Sequence, residues 1–243
     1  MQYTISGREK PKNEDILSYL NRVYGQVPFE EVESVFAFVD QSTLYGGRQF
    51  VSPELSPLDI MLMYDHGIGY RIPLTNSYVE PEEYDQNIEL LEKYHRPGNS
   101  VIIVNDNLAR WIRRDFPDYK VEASIIKNIN THDKINIALE LYNTVVLPTS
   151  LNENLKFLDE IKTKERITLF AFAGCGVNCP SKICYPSISK YNKFNGYTDF
   201  ECSQTLKERE NRGQVFFDLD EYVKMGFNRF KMIEASATVS YRI

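Results

Sequence analysis

The regular alternation of short apolar runs with stretches of helical periodicity constrains the fold more than any other feature of this chain. Seven short segments, several of them largely apolar, are predicted to be strands, and they lie at 34–39, 68–74, 100–104, 120–126, 144–147, 167–173 and 227–233. Most of the segments between them carry apolar residues at the spacing of one helix face. Strands that alternate with helices of about 10–15 residues indicate βαβ units and a parallel sheet.

Seven such units without a break in composition predict an α/β fold with one domain over residues 1–243, a TIM-type (β/α) barrel. An open doubly wound sheet normally has a glycine-rich phosphate loop after its first strand, and Gly46-Gly47 lacks that spacing. After the seventh strand only residues 237–243 remain for an eighth unit. The sequence therefore leaves open whether the eighth unit is complete, distorted or absent.

Charge and hydropathy narrow the classes of function. The net charge of −6 argues against a protein that coats nucleic acid, because such proteins usually present a basic stripe. The first residues lack the apolar segment of a secretory signal, and no apolar run approaches the roughly 18 residues of a membrane span. We therefore expect a cytoplasmic protein without a membrane partner.

All four cysteines fall in one loop, residues 174–202, after the sixth predicted strand. Their spacing is C-x3-C-x4-C-x17-C, and they are Cys175, Cys179, Cys184 and Cys202. In the cytosol, clustered cysteines are more often metal ligands or redox groups than structural disulfides. Four thiolates suit either a 4Fe–4S cluster or a tetrahedral zinc ion. The absence of C-x-x-C knuckles favours the cluster over zinc; disulfides and unliganded thiols remain alternatives.

Several motifs resemble the peptidase U32 family, over roughly residues 98–235. They are YKVEASIIKNI (119–129), VVLP (145–148), NENLKFL (152–158), AGCGVNCP (173–180) and YVKMGFNRFKMIE (222–234). The resemblance implies a TIM-type barrel. The better understood members are not proteases: they hold a four-cysteine 4Fe–4S cluster and support oxygen-independent hydroxylations. Their substrates are a quinone precursor or RNA bases, the latter modified with prephenate.

By that resemblance, the four cysteines of the 174–202 loop would be the cluster ligands. This chain departs from the family in three ways. Its cysteines are closer together, it lacks the C-terminal extension of the hydroxylases, and Ala235-Ser236 replaces the Gly-Arg of the family's Lys-Ile-Glu-Gly-Arg motif. The reaction and the substrate are therefore less constrained by the resemblance than the cluster is.

Three further residues are candidates for catalytic roles. Lys127 and Glu234 follow the fourth and seventh predicted strands, where a closed barrel would direct both into one pocket for proton transfer or anion binding. Arg48, in a glycine-bearing loop, would bind a carboxylate with two parallel hydrogen bonds. The alternative is that all three are solvated residues at strand ends and turns.

The working hypothesis is a U32-like iron–sulfur protein that supports an oxygen-independent hydroxylation, or a related redox modification, of a small molecule or an RNA base. One alternative is a non-catalytic barrel in which a metal-bound cysteine loop, with iron–sulfur or zinc, is structural. Such a barrel would act as a protein partner or as a subunit of a homo-oligomer. A further alternative is a peptidase, as the family name suggests.

Overall fold

Eight parallel strands close into a barrel in the computed structural model, which describes residues 1–173, 182–203, 205 and 215–233. The strands of the barrel are β1 (Gln2–Ser6), β2 (Val32–Phe36), β3 (Gly69–Leu74), β4 (Ser100–Ile103), β5 (Lys120–Ala123), β6 (Thr144–Val146), β7 (Ile167–Phe170) and β10 (Arg229–Met232). Each strand pairs with the next in this order, and β10 pairs with β1 to close the barrel. The predicted (β/α) barrel is confirmed.

The helices of the described part lie in the connections between strands. They are α1 (Ile16–Tyr24), α2 (Pro57–Asp65), α3 (Pro81–Gln86), α4 (Ile88–Lys93), α5 (Asp106–Asp115), α6 (His132–Leu141), α7 (Leu155–Asp159), α8 (Cys184–Lys193) and α9 (Leu219–Lys224). Local chemistry defines their starts: Ser56 and Asp59 form a capping box at α2, with Pro57 in the first turn. Two short strands, β8 (Phe172–Ala173) and β9 (Val215–Phe216), pair antiparallel outside the barrel.

The eighth strand of the barrel precedes the first predicted one instead of following the seventh. It is β1, which pairs with β10 on one side and β2 on the other. The sequence Gln-Tyr-Thr-Ile-Ser has no continuous apolar run, since Thr4 and Ser6 alternate with Tyr3 and Ile5. All four of these side chains are buried, so the alternation reflects a polar barrel interior and not an exposed face.

Within the strands, the register forms three complete layers of four inward-facing side chains, each layer contributed by alternate strands. From the amino-terminal to the carboxy-terminal end of the strands, the layers are Ser34, Ser100, Thr144 and Arg229; Thr4, Arg71, Glu122 and Thr168; and Phe36, Ile102, Val146 and Lys231. The first two layers are polar or charged. The third is apolar except for its lysine, and Phe170 packs with Ile102 and Val146.

Candidate functional site at the barrel mouth

The cysteine segment leaves the barrel at the carboxy-terminal end of β7, the end at which active sites of such barrels lie. After β7 the chain forms β8, continues through α8, returns as β9 beside β8, and reaches α9 before β10. The sequence predicted this position for the loop at 174–202, because the loop follows a buried strand directly. Cys175, Cys179 and Glu234 lie outside the described residues.

Helix α8 lies against the loops that follow β2 and β3, which stand on the opposite side of the barrel from β7. The Asn76 side chain, after β3, donates a hydrogen bond to the Ser189 carbonyl at 3.0 Å. The backbone N–H of Ser77 donates to Ser189 Oγ at 3.2 Å. The helix that starts at Cys184 therefore crosses the mouth of the barrel instead of packing on its outer wall.

A second buried amide joins α8 to the loop after β2. The Asn192 Oδ1 atom accepts a hydrogen bond from the backbone N–H of Phe50 at 2.8 Å. Its Nδ2 atom donates to the carbonyls of Tyr45 and Arg48, at 3.2 and 2.9 Å. Asn192 is buried, so these bonds satisfy backbone groups that water does not reach.

The two cysteines that the structure describes lie at the same end of α8. Cys184 is the first residue of the helix, and Ser187 follows it one turn later. Ser187 Oγ donates to the Asp199 carbonyl at 3.1 Å and accepts from the Glu201 N–H at 2.7 Å. The residue before Cys202 is thereby held within one helical turn of Cys184.

The donor chemistry of these two cysteines fits the ligand set predicted for the cluster. Both thiols are partly exposed, and no disulfide involves either of them within residues 1–173, 182–203, 205 and 215–233. Those residues contain no group of three His, Cys, Asp or Glu side chains placed to hold a metal ion. A four-thiolate site also requires Cys175 and Cys179, so the cluster and its zinc alternative stay predictions.

Arg48 makes the bidentate carboxylate contact expected of it, but with a residue of its own chain. Its two terminal nitrogens bind the two carboxylate oxygens of Glu54. Its guanidinium also stacks over the Phe38 ring, 4.0 Å from the ring centroid. In this structure Arg48 therefore stabilises the loop after β2.

Lys127 lies at another part of the rim, after β5. Its amine donates to the Val104 carbonyl at 2.9 Å and to Asp106 Oδ1 at 2.7 Å. Asp106 also accepts from the Tyr142 hydroxyl at 2.6 Å. Burial alone would raise the pKa of Asp106, but the bonds from Lys127 and Tyr142 lower it overall. Lys127 thus ties the loops after β4 and β5 together.

Sequence patterns did not reveal the ion network inside the barrel. Arg71 Nη1 donates to Glu122 Oε1 at 2.6 Å, and Arg71 Nη2 donates to Glu33 Oε2 at 3.0 Å. Arg229 binds the same carboxylate of Glu33. The second oxygen of Glu122 accepts from two hydroxyls at 2.9 and 3.0 Å, those of Thr144 and Thr168.

The network keeps both carboxylates ionised. Burial alone would raise the pKa of Glu33, but Arg71 and Arg229 outweigh it and lower that pKa to about 2. The pKa of Glu122 is also lowered, because Arg71, Lys231 and Arg229 outweigh its complete burial. This half of the barrel interior is held together by charge-assisted hydrogen bonds.

Lys231 stands apart from that network. Its side chain points into the barrel from β10 in the third layer, the residue is 5% exposed, and its amine lies 4.5 Å from the centroid of the Phe36 ring. No carboxylate of the described residues lies within ion-pair distance of the amine. Burial lowers the pKa of Lys231 to about 8, although the negative charge of Glu122 acts in the opposite direction.

None of the helices in the described part of the chain combines the length and the apolar character needed to cross a bilayer.

Comparison with known proteins identifies a structural relative and no relative in sequence. No family model matches the chain, and no curated protein matches it. The structure of the U32 peptidase Mk0906 superposes with a TM-score of 0.64, over 97% of this chain and 93% of that chain, at 11% identity. A chitinase from Rhizomucor miehei reaches a TM-score of 0.47 at 9% identity, over 96% of this chain and 94% of that chain, too weak a similarity to support an argument. The described chain therefore shares the fold of a U32 peptidase structure, in agreement with the sequence resemblance.

Proposed function

We propose that this chain is a U32-like iron–sulfur protein that supports an oxygen-independent hydroxylation, or a related redox modification, at the mouth of its barrel. The substrate class is a small molecule or an RNA base. The ligands of a 4Fe–4S cluster would be Cys175, Cys179, Cys184 and Cys202. A cluster held by four thiolates supplies electrons rather than an open coordination site for substrate.

The observation that supports this proposal most directly is the path of the cysteine segment. It leaves β7 at the catalytic end of the barrel, and α8 carries it across the mouth to the loops after β2 and β3. A metal site with a purely structural role would not need to lie over the mouth. A redox group placed there would lie beside any substrate that enters the barrel.

The described residues of the segment have a positioning role in this proposal. Ser187 holds the stretch before Cys202 next to the first turn of α8. Asn76 and Asn192 fix the same helix on the rim through its second and third turns. Two thiols on one short, doubly anchored segment lose little conformational entropy when they bind a common metal group.

The test is anaerobic purification of the chain, followed by iron, sulfide and zinc analysis and visible absorption spectroscopy. We expect a coloured protein with about four irons per chain. Replacing Cys184 or Cys202 by serine should lower the iron content and bleach the absorption. Ile183→Ser is the matched control, because Ile183 is exposed beside Cys184 and carries no thiol.

Other outcomes contradict the proposal in distinct ways. A colourless protein with one tightly held zinc ion would support a structural cysteine loop on a non-catalytic barrel. Peptide cleavage that resists chelators and is abolished by Cys175→Ala would support a peptidase. Iron binding that survives both Cys184→Ser and Cys202→Ser would exclude the proposed ligand set.

A further inference from the structure

We infer that Lys231 is the cationic anchor of a binding site for a small organic carboxylate in the barrel mouth. This inference deepens the proposed function, since it names the ligand class of the same mouth. It rests on the barrel interior and uses no cysteine, so either proposal can fail while the other stands.

The first step of the argument is the charge balance of the interior. Three cations, Arg71, Arg229 and Lys231, face two carboxylates, Glu33 and Glu122. Both carboxylates bind arginines directly, which leaves the lysine as the excess charge. Buried charges are normally paired, because an unpaired one loses its hydration without compensation. Lys231 has no such partner among the described residues, and the partner that would balance its charge is an anion.

The second step is the location of the amine. Lys231 belongs to the interior layer directly above the one that holds Arg71 and Glu122, towards the carboxy-terminal ends of the strands. Phe36 points into the same layer and is only partly buried, as are Ile125, Phe217 and Ile233 around the mouth. An inward-facing aromatic ring that retains solvent exposure means that this layer is reached from the mouth.

The third step is the chemistry of the surroundings, which selects the kind of anion. Apart from its lysine, the layer consists of Phe36, Ile102 and Val146, with Phe170 packed against the last two. A bare inorganic ion would gain nothing from these apolar side chains. A carboxylate attached to an apolar or aromatic body would pair with the amine and bury its remainder against them.

The protonation state of Lys231 suits this role. Its pKa of about 8 leaves the amine mostly protonated at neutral pH, and an anion beside it would raise that pKa further. The charged groups that face it are Glu122 and Arg71 from the layer below. Arg71 lowers the pKa of Glu122, so that carboxylate stays ionised at neutral pH.

Benzoate is the probe that tests the inference, with benzamide as its uncharged counterpart of similar shape. Titration calorimetry on the purified protein should detect benzoate binding, at least about tenfold tighter than benzamide binding. Lys231→Met should weaken benzoate by a similar factor, whereas Lys231→Arg should retain most of the affinity. The control is Lys120→Met, which removes an exposed lysine at the opposite end of the barrel.

Four results would overturn the inference. They are no benzoate binding to the wild type, equal affinity for benzoate and benzamide, unchanged affinity in Lys231→Met, and tighter binding of inorganic phosphate than of benzoate. Should Lys231→Met fail to fold, Lys231→Gln provides the same loss of charge with a polar side chain. The iron content of each preparation, measured in parallel, separates this result from the fate of the cluster.

Discussion

The amino-terminal half of the barrel interior, which contains the ion network of Arg71, and the contact between α8 and the barrel rim are both buried and polar. They are held together by different kinds of bond. In the barrel, charged side chains from separate strands bind one another, as Arg71 does with Glu33 and Glu122. Beneath α8, neutral amides bind backbone groups, as Asn76 and Asn192 do. Removing one partner from the barrel leaves an unpaired buried charge, whereas removing an amide leaves a backbone group that water can reach once the helix lifts.

This difference indicates two levels of stability within one domain. The ion network joins strands on all sides of a closed barrel, so its failure should involve the whole fold. The amide bonds join a single helix to two loops, and their failure should open only that helix. The protein therefore combines a rigid barrel with a helix over its mouth, α8, that opens separately.

The largest expected effect tests the ion network directly. Arg71→Met leaves Glu122 and Glu33 without their central cation, and we expect a loss of about 3–5 kcal/mol in the free energy of unfolding. Urea denaturation followed by circular dichroism measures it. The control is Arg22→Met, which breaks the exposed pair with Glu14 and should cost far less, because solvent screens that pair.

A double variant sharpens that result. In Arg71→Met with Glu122→Leu, the uncompensated charge at Glu122 is absent, so stability should recover in part. Equal stability of the single and the double variant would mean that the charge at Glu122 contributes nothing. The ion network of the barrel and the amide contacts of α8 would then differ less in their effect on stability than their contacts indicate.

Lowering the pH is expected to have a smaller effect on the free energy of unfolding. The folded pKa of Glu33 is about 2, below the ordinary value of 4.5, so its contribution is complete above pH 4.5 and is lost as the pH falls towards 2. The loss should amount to about 3 kcal/mol for this group. Stability curves of the wild type and of Glu33→Gln between pH 5 and pH 2 measure it. Parallel curves would contradict the assignment.

The smallest expected effect concerns α8, the helix that lies across the mouth of the barrel. Asn192→Ala removes three hydrogen bonds to the loop after β2, and we expect about 1–3 kcal/mol less protection against local opening of α8. Hydrogen exchange of peptides from residues 184–193 reports it, while exchange in the barrel strands should change little. Gln41→Ala is the control, because its bond to Asn195 is exposed. Equal loss of protection in the strands would show that α8 and the barrel unfold as one unit.

The sequence patterns predicted most of the elements that build the barrel, because these depend on local chemistry. Largely apolar runs indicated β4 and β7, and the Ser56-Pro57 pair indicated the start of α2. They also placed the cysteine loop after β7, since that loop follows a buried strand without any intervening helix. Strand β1 was missed because its inward-facing Thr4 and Ser6 are polar.

By itself, therefore, the sequence determined the class of fold, the position of the cysteines along it and the resemblance to U32 proteins. Only the tertiary structure decided which charges meet. Arg71, Glu122 and Lys231 lie on strands 51 or more residues apart, and periodicity cannot show that they share one interior. It likewise decided that Arg48 is paired with Glu54 and that Lys231 is not paired with a described carboxylate. Pairing depends on register and barrel closure, which are set by the packing of the whole chain and not by any local stretch of it.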